Sequence, residues 1–133
     1  MTALGSDHPD VGIILMNMGI LKAFQRQYAE ADLLLNRSLS VTNQVLGHEH
    51  PFVAVTMRTI AVIQAIQGHY GDAERFIRRS LEISEKTLAS EHPEAAMCRK
   101  VFARVLRTAH RDIKTPRAES RAQDMRPRSA RYN

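Results

Sequence analysis

The stretch Leu46-Gly47-His48-Glu49-His50-Pro51 decides the fold, because the chain carries it more than once. An earlier copy reads Leu4-Gly5-Ser6-Asp7-His8-Pro9, and a weaker copy reads Leu88-Ala89-Ser90-Glu91-His92-Pro93. Successive copies are 42 residues apart. A constant period of about 20–50 residues is typical of solenoids, in which each repeat is one supersecondary unit stacked on its neighbours. The period therefore predicts a repeat protein.

The repeat continues beyond this stretch. Tyr28 is matched by Tyr70, and Arg37-Ser38-Leu39 is matched by Arg79-Ser80-Leu81. Between these points the apolar residues recur at spacings of three and four, which predicts amphipathic helices rather than strands. The predicted helices cover residues 10–26, 29–45, 52–67, 71–88 and 94–111. They form two helical hairpins and half of a third.

Three motifs resemble those of a known family. They are Leu-Gly-x-x-His-Pro-x-Val at 46–53, Gly-x-Tyr-x-x-Ala-Glu at 68–74 and Arg-Ser-Leu-x-Ile at 79–83. Together they resemble tetratricopeptide repeats of the 42-residue kind found in kinesin light chains, over about residues 4–111. The resemblance implies an all-α superhelix of about two and a half repeats that binds other proteins.

The predicted domain organisation follows from the repeat and from the charge. We expect one helical repeat domain over residues 1–112, followed by a basic and mostly disordered tail. The net charge is +5, and the last 23 residues contain seven of the 19 Lys and Arg residues. The ranges are repeats at about 4–45 and 46–87, a partial repeat at 88–112, and the tail at 113–133.

The tail and the remaining composition bear on partners and location. A basic tail attracts nucleic acid non-specifically, but this one contains only Tyr132 as a stacking aromatic, so nucleic-acid binding is disfavoured. No apolar run of about 18 residues is present, which argues against a membrane partner. The first ten residues lack the basic-then-apolar pattern of a secretory signal, and there is a single cysteine. We therefore expect a cytoplasmic protein.

Metal and catalytic functions are disfavoured. His48-Glu49-His50 could chelate an ion, but the spacing identifies no third or fourth ligand. His8, His50 and His92 recur once per repeat, which predicts a capping role at each turn. Cys98 lies on a predicted helix with no partner histidine in a known motif, which is typical of a buried thiol. We expect no enzyme activity, no metal and no cofactor.

The resemblance also implies a binding surface, the concave groove formed by the first helices of the units. Carried over by register, this surface combines an apolar wall with a basic end. It would suit a protein or peptide partner with a bulky apolar anchor and nearby acidic residues. The predicted groove residues are Ile13, Met16, Asn17, Ile20, Phe24, Arg58, Thr59, Val62, Ile66, Lys100, Arg104 and Thr108.

Two alternatives stay open at this point. The exposed apolar residues of the first helix, such as Ile13, Ile20 and Phe24, could instead be buried against other parts of a larger protein. The chain would then be a structural piece of a longer repeat scaffold or signalling sensor array with no ligand of its own. Self-association through the uncapped ends of the repeat array is a further expectation.

Overall fold

The computed structural model describes residues 9–113 of the chain, and within this range every regular element is an α-helix. Each predicted helix is confirmed, with ends displaced by no more than two residues. The first His-Pro copy, up to His8, and the predicted tail beyond residue 113 lie outside the described residues, so the domain boundary at residue 112 stays a prediction. The helices are α1 Pro9–Phe24, α2 Tyr28–Leu46, α3 Pro51–Ile66, α4 Tyr70–Thr87 and α5 Pro93–Ile113.

The histidine of each described His-Pro pair caps the helix that follows it. The Phe52 backbone N–H donates to Nδ1 of His50 at 3.0 Å, and the Glu94 N–H donates to Nδ1 of His92 at 3.1 Å. The following proline occupies the first helical position, where no backbone donor is needed and the fixed φ is already helical. The predicted capping role of His50 and His92 is confirmed.

The turn inside each hairpin requires one residue in the left-handed region. In the second hairpin that residue is Gly68, with φ 85°, which glycine adopts at no steric cost. The equivalent residue of the first hairpin is Arg26, with φ 62°. Because Arg26 carries a Cβ, the first hairpin holds backbone strain at a position where the second holds none.

The two helices of each hairpin are joined by the same hydrogen bond. The Ser38 hydroxyl donates to the carbonyl oxygen of Gly12 at 2.6 Å, and the Ser80 hydroxyl donates to the carbonyl oxygen of Ala54 at 2.6 Å. Both serines are fully buried. The Arg-Ser-Leu match between the two units therefore reflects a structural contact between the helices of a hairpin.

Small residues on α1 let the first hairpin close tightly. A Cβ added at Gly19 would lie 2.8 Å from Cγ of Leu35, and one added at Gly12 would lie 2.6 Å from Cγ2 of Thr42. Both distances are shorter than ordinary van der Waals contact, so α2 approaches α1 as closely as glycine allows.

The hairpins stack through the second helix of one unit and the first helix of the next. Leu35 of α2 packs with Ile60 and Ile63 of α3. Ile77 of α4 packs in the same way with Val105 of α5. This stacking sets the first helices α1, α3 and α5 side by side, with α3 contacting both of the others. The result is an all-α superhelix whose groove runs across these three helices.

Candidate binding groove

Two adjoining pockets lie along the first helices. One lies between α1 and α3 and has a volume of about 280 Å³. The other lies between α3 and α5 and has a volume of about 330 Å³. Val62 and Ile66 of α3 line both pockets, so the two depressions form one continuous groove. Most of the other lining side chains are also apolar.

The structure brings most of the predicted groove residues together. Those at the first pocket are Ile20, Phe24, Arg58, Thr59, Val62 and Ile66. Those added by the second pocket are Arg104 and Thr108.

The other four predicted residues lie outside the two pockets. Ile13, Asn17 and Lys100 are exposed on α1 and α5. Met16 is partly buried against the core cluster around Leu35, and its Sδ accepts a long hydrogen bond of 3.9 Å from the Thr59 hydroxyl. Met16 therefore helps to join α1 to α3 instead of facing the groove openly.

Five lining residues were not predicted. Each lies three or four positions from a predicted groove residue, and this spacing was the available signal. The predicted groove set does not include them, whereas in the structure they line the pockets beside the predicted residues. These residues are Ala23, Ile63, Ala65, Val101 and Val105.

The charges at the groove are not equivalent. Arg58 is only 15% exposed, and its Nη1 donates to Oε2 of Glu94 at 2.6 Å. Its positive charge is thus matched inside the protein. Lys100 and Arg104 are exposed, and neither forms an ion pair with another side chain of residues 10–110. These two side chains are the ones available to an acidic partner.

Exposed apolar side chains stand at the end of the groove near the inner turns. Phe24, the last residue of α1, is 83% exposed, and Ile66, the last residue of α3, is 60% exposed. Exposing an aromatic ring to water beside an apolar pocket is unfavourable in free energy. Exposed apolar patches of this kind mark interaction sites.

Comparison with known families agrees with this architecture. A family model described as the tetratricopeptide repeat matches residues 10–86, which is more than half of the chain. The chain belongs to the tetratricopeptide repeat family. Repeats of this family are non-catalytic scaffolds that mediate protein–protein interaction. No curated protein matches the chain.

Three other features of this tetratricopeptide repeat chain bear on function: its cysteine, its possible metal ligands and its longest helices. The Cys98 thiol is buried, with the hydroxyls of Ser80 and Ser84 each 3.2 Å from its Sγ. The described range contains no cluster of three or more His, Cys, Asp or Glu side chains placed to hold a metal ion. Within residues 9–113, no helix is both long enough and apolar enough to cross a bilayer.

Proposed function

We propose that the chain is a non-enzymatic interaction module that binds a peptide or helical segment of a partner protein along the groove of α1, α3 and α5. The observation that carries this proposal is the continuity of the two pockets through Val62 and Ile66. Each pocket alone, at about 280 and 330 Å³, is near the lower end of the range of about 300–1,000 Å³ typical of small-molecule sites. Two small apolar pockets in a row suit successive side chains of a peptide.

The groove indicates the chemistry of the partner. Phe24 and Ile66 offer apolar contact beside the first pocket, which suits a bulky apolar anchor. Arg104 lines the second pocket and Lys100 lies on the same helix, which suits acidic residues after the anchor. Because both cations are exposed, they would raise the association rate more than the lifetime of the complex.

A finer family assignment is also part of the proposal. We assign the repeats to the 42-residue kind found in kinesin light chains. The equivalent bonds Ser38–Gly12 and Ser80–Ala54, which are offset by 42 residues at both ends, support it. The cytoplasmic location stays a prediction from the sequence.

The test is a peptide array probed with the full chain. It contains peptides with one Phe or Leu anchor followed by Asp and Glu, and matched peptides in which Lys replaces the acidic residues. We expect the acidic set to bind and the basic set to fail. Binding should weaken about tenfold in Phe24→Ala, because truncating an aromatic side chain that contacts the anchor costs about 1–2 kcal/mol.

Two further variants separate charge from apolar contact. Arg104→Glu should abolish the preference for acidic peptides and the salt dependence of the association rate. Arg58→Glu is unsuitable, because it would place a second carboxylate beside Glu94. The matched control is Leu33→Glu, an exposed apolar position on α2 away from the groove. Equal binding by wild type and Phe24→Ala would refute the proposal.

The alternative function is a structural piece of a longer repeat scaffold with no groove ligand. One observation favours it, the exposed apolar face of α1 on the side away from α3. Under this alternative no array peptide binds the groove, and Phe24→Ala leaves every interaction of the chain unchanged.

A further inference from the structure

Helix α1 carries a second exposed apolar face beside the groove. Ile14, Met18 and Leu21 are 46%, 45% and 56% exposed, and their spacings of four and three place them on one side of the helix. We call these three residues the N-terminal face. It is turned by roughly 100° around the helix axis from the groove residues Ile20 and Phe24.

The same face is buried in the two following units. One repeat later, the equivalent residues of α3 are Thr56, Ile60 and Ile63, which are 0%, 2% and 4% exposed. Two repeats later, the equivalents on α5 are Cys98 and Val105, which are buried, and Phe102, which is half-buried. These residues occupy the same positions in their repeats, so their exposure differs because, within residues 9–113, a helix packs over them on α3 and α5 but not on α1.

The cover of this face in the later units has a defined chemistry. On α3 it is α2, whose fully buried Leu35 packs with Ile60 and Ile63. On α5 it is α4, whose fully buried Ile77 packs with Val105. Each covering helix thus presents a buried Leu or Ile at the same position of the repeat.

A polar contact accompanies the apolar one. Asp32, directly after Ala31, accepts hydrogen bonds from the Gln67 Nε2 at 3.1 and 3.2 Å and from the Gln64 Nε2 at 3.3 Å. One repeat earlier, the position of Gln67 is held by Gln25, which is exposed. An acidic residue three positions before the Leu or Ile of a covering helix would meet the Gln25 amide in the same way.

We propose that the N-terminal face binds an amphipathic α-helix of a partner, with an acidic residue and, three positions later, Leu or Ile. The site lies on a different face of α1 from the proposed groove and does not depend on it. A folded second copy is the weaker candidate, because α2 and α4 already bury Leu35 and Ile77 within the chain.

The chain itself supplies the probe. A fluorescent peptide of residues 70–87, the sequence of α4, contains Glu74 and Ile77 in the required pattern. A lactam between Glu82 and Lys86, both exposed and four residues apart, holds it helical. The control peptide carries Ile77→Glu. Binding to the full chain is followed by fluorescence anisotropy and by the methyl signals of the protein in NMR spectra.

We expect saturable binding of the α4 peptide, with shifts of the Ile14, Met18 and Leu21 methyl signals. Leu21→Glu should weaken it at least tenfold, because the exposed Leu21 contributes to the face and not to the core. Leu33→Glu, equally apolar and exposed on α2, should leave it unchanged. The Ile77→Glu peptide should not bind.

Three results would overturn the proposal. The first is equal binding by wild type and Leu21→Glu, and the second is a shift of the Val62 and Ile66 signals in the groove instead. The third is a light-scattering mass of twice 15.0 kDa that returns to 15.0 kDa in Leu21→Glu, which would make a second copy the occupant. Failure here leaves the groove proposal standing, because Phe24→Ala and Arg104→Glu test that surface separately.

Discussion

Replacing Gly12 with alanine tests how closely α1 and α2 pack where Gly12 faces Thr42. The added Cβ would lie 2.6 Å from Cγ2 of Thr42, which is far inside contact distance. In the second hairpin the same two positions are Ala54 and Ser84. Ala54 has the Cβ that Gly12 lacks, and Ser84 lacks the methyl group that Thr42 has. Combining Gly12→Ala with Thr42→Ser should therefore reproduce the second arrangement in the first hairpin.

The magnitudes follow from the contacts. Gly12→Ala alone gains about 1 kcal/mol of helix propensity and loses about 1–3 kcal/mol to overpacking, a net loss of about 0–2 kcal/mol. Thr42→Ser alone removes a buried methyl group, which costs about 1 kcal/mol. In the double variant the nearest atoms to the new Cβ are the Ser38 carbonyl oxygen at 3.7 Å and the residue-42 Cβ at 3.9 Å, both ordinary contacts.

The double variant should consequently be as stable as the wild type, or about 1 kcal/mol more stable, with a coupling between the two sites of about 1–4 kcal/mol. Urea denaturation of all four proteins, followed by far-UV circular dichroism, measures this cycle. In thermal melts, 1 kcal/mol corresponds to about 4 °C. The serine hydroxyl at residue 42 can keep the bonds that Thr42 makes to the Ser38 and Leu39 carbonyl oxygens at 3.0 Å.

Gly71→Ala is the matched control for the helix-propensity gain. A Cβ at Gly71 meets no atom within 4 Å, so alanine there should stabilise α4 by up to about 1 kcal/mol, whatever residue 42 is. The reasoning is refuted if the loss in the double variant equals the sum of the two single losses within about 0.5 kcal/mol, because the sites would then be independent.

Two further substitutions probe single contacts. Ser80→Ala removes the buried hydroxyl bond to the Ala54 carbonyl and should lower the free energy of unfolding by about 1 kcal/mol in urea titrations; an unchanged midpoint would contradict this. Arg26→Gly should stabilise the chain by about 0.5 kcal/mol, because relief of about 1–2 kcal/mol of left-handed strain exceeds the added entropy of glycine in the unfolded state. A lower melting temperature would contradict it.

Much of the groove could be predicted because register carries residues onto a helix face. Val62 and Ile66 recur at a spacing of four, and the repeat aligns them with Ile20 and Phe24, so these side chains share one surface once the helices form. The pocket floor could not be predicted in the same way. Whether Ala23 belongs to the core or to a pocket depends on how closely α3 approaches α1, and no spacing within one helix encodes that distance.

The electrostatics of the groove show the same limit. Arg58 and Lys100 both appear in the sequence as cations on the first helices of neighbouring units. Only the stacking of α5 on α3 brings Glu94, 36 residues away, within 2.6 Å of Arg58 and leaves Lys100 facing solvent. The positions of Arg and Lys in the sequence do not show which cation forms an internal ion pair and which is available to a partner.

The sequence by itself determined the helices, their caps and their pairing into hairpins, because these depend on residues within one 42-residue unit. The apolar spacing, the His-Pro pairs and the buried serines all act locally. The tertiary structure decided which of two equivalent residues is buried. Met18 and Ile60 occupy the same repeat position, yet Met18 is 45% exposed and Ile60 2%, because among residues 9–113 the second helix of a preceding unit packs against Ile60 and none packs against Met18.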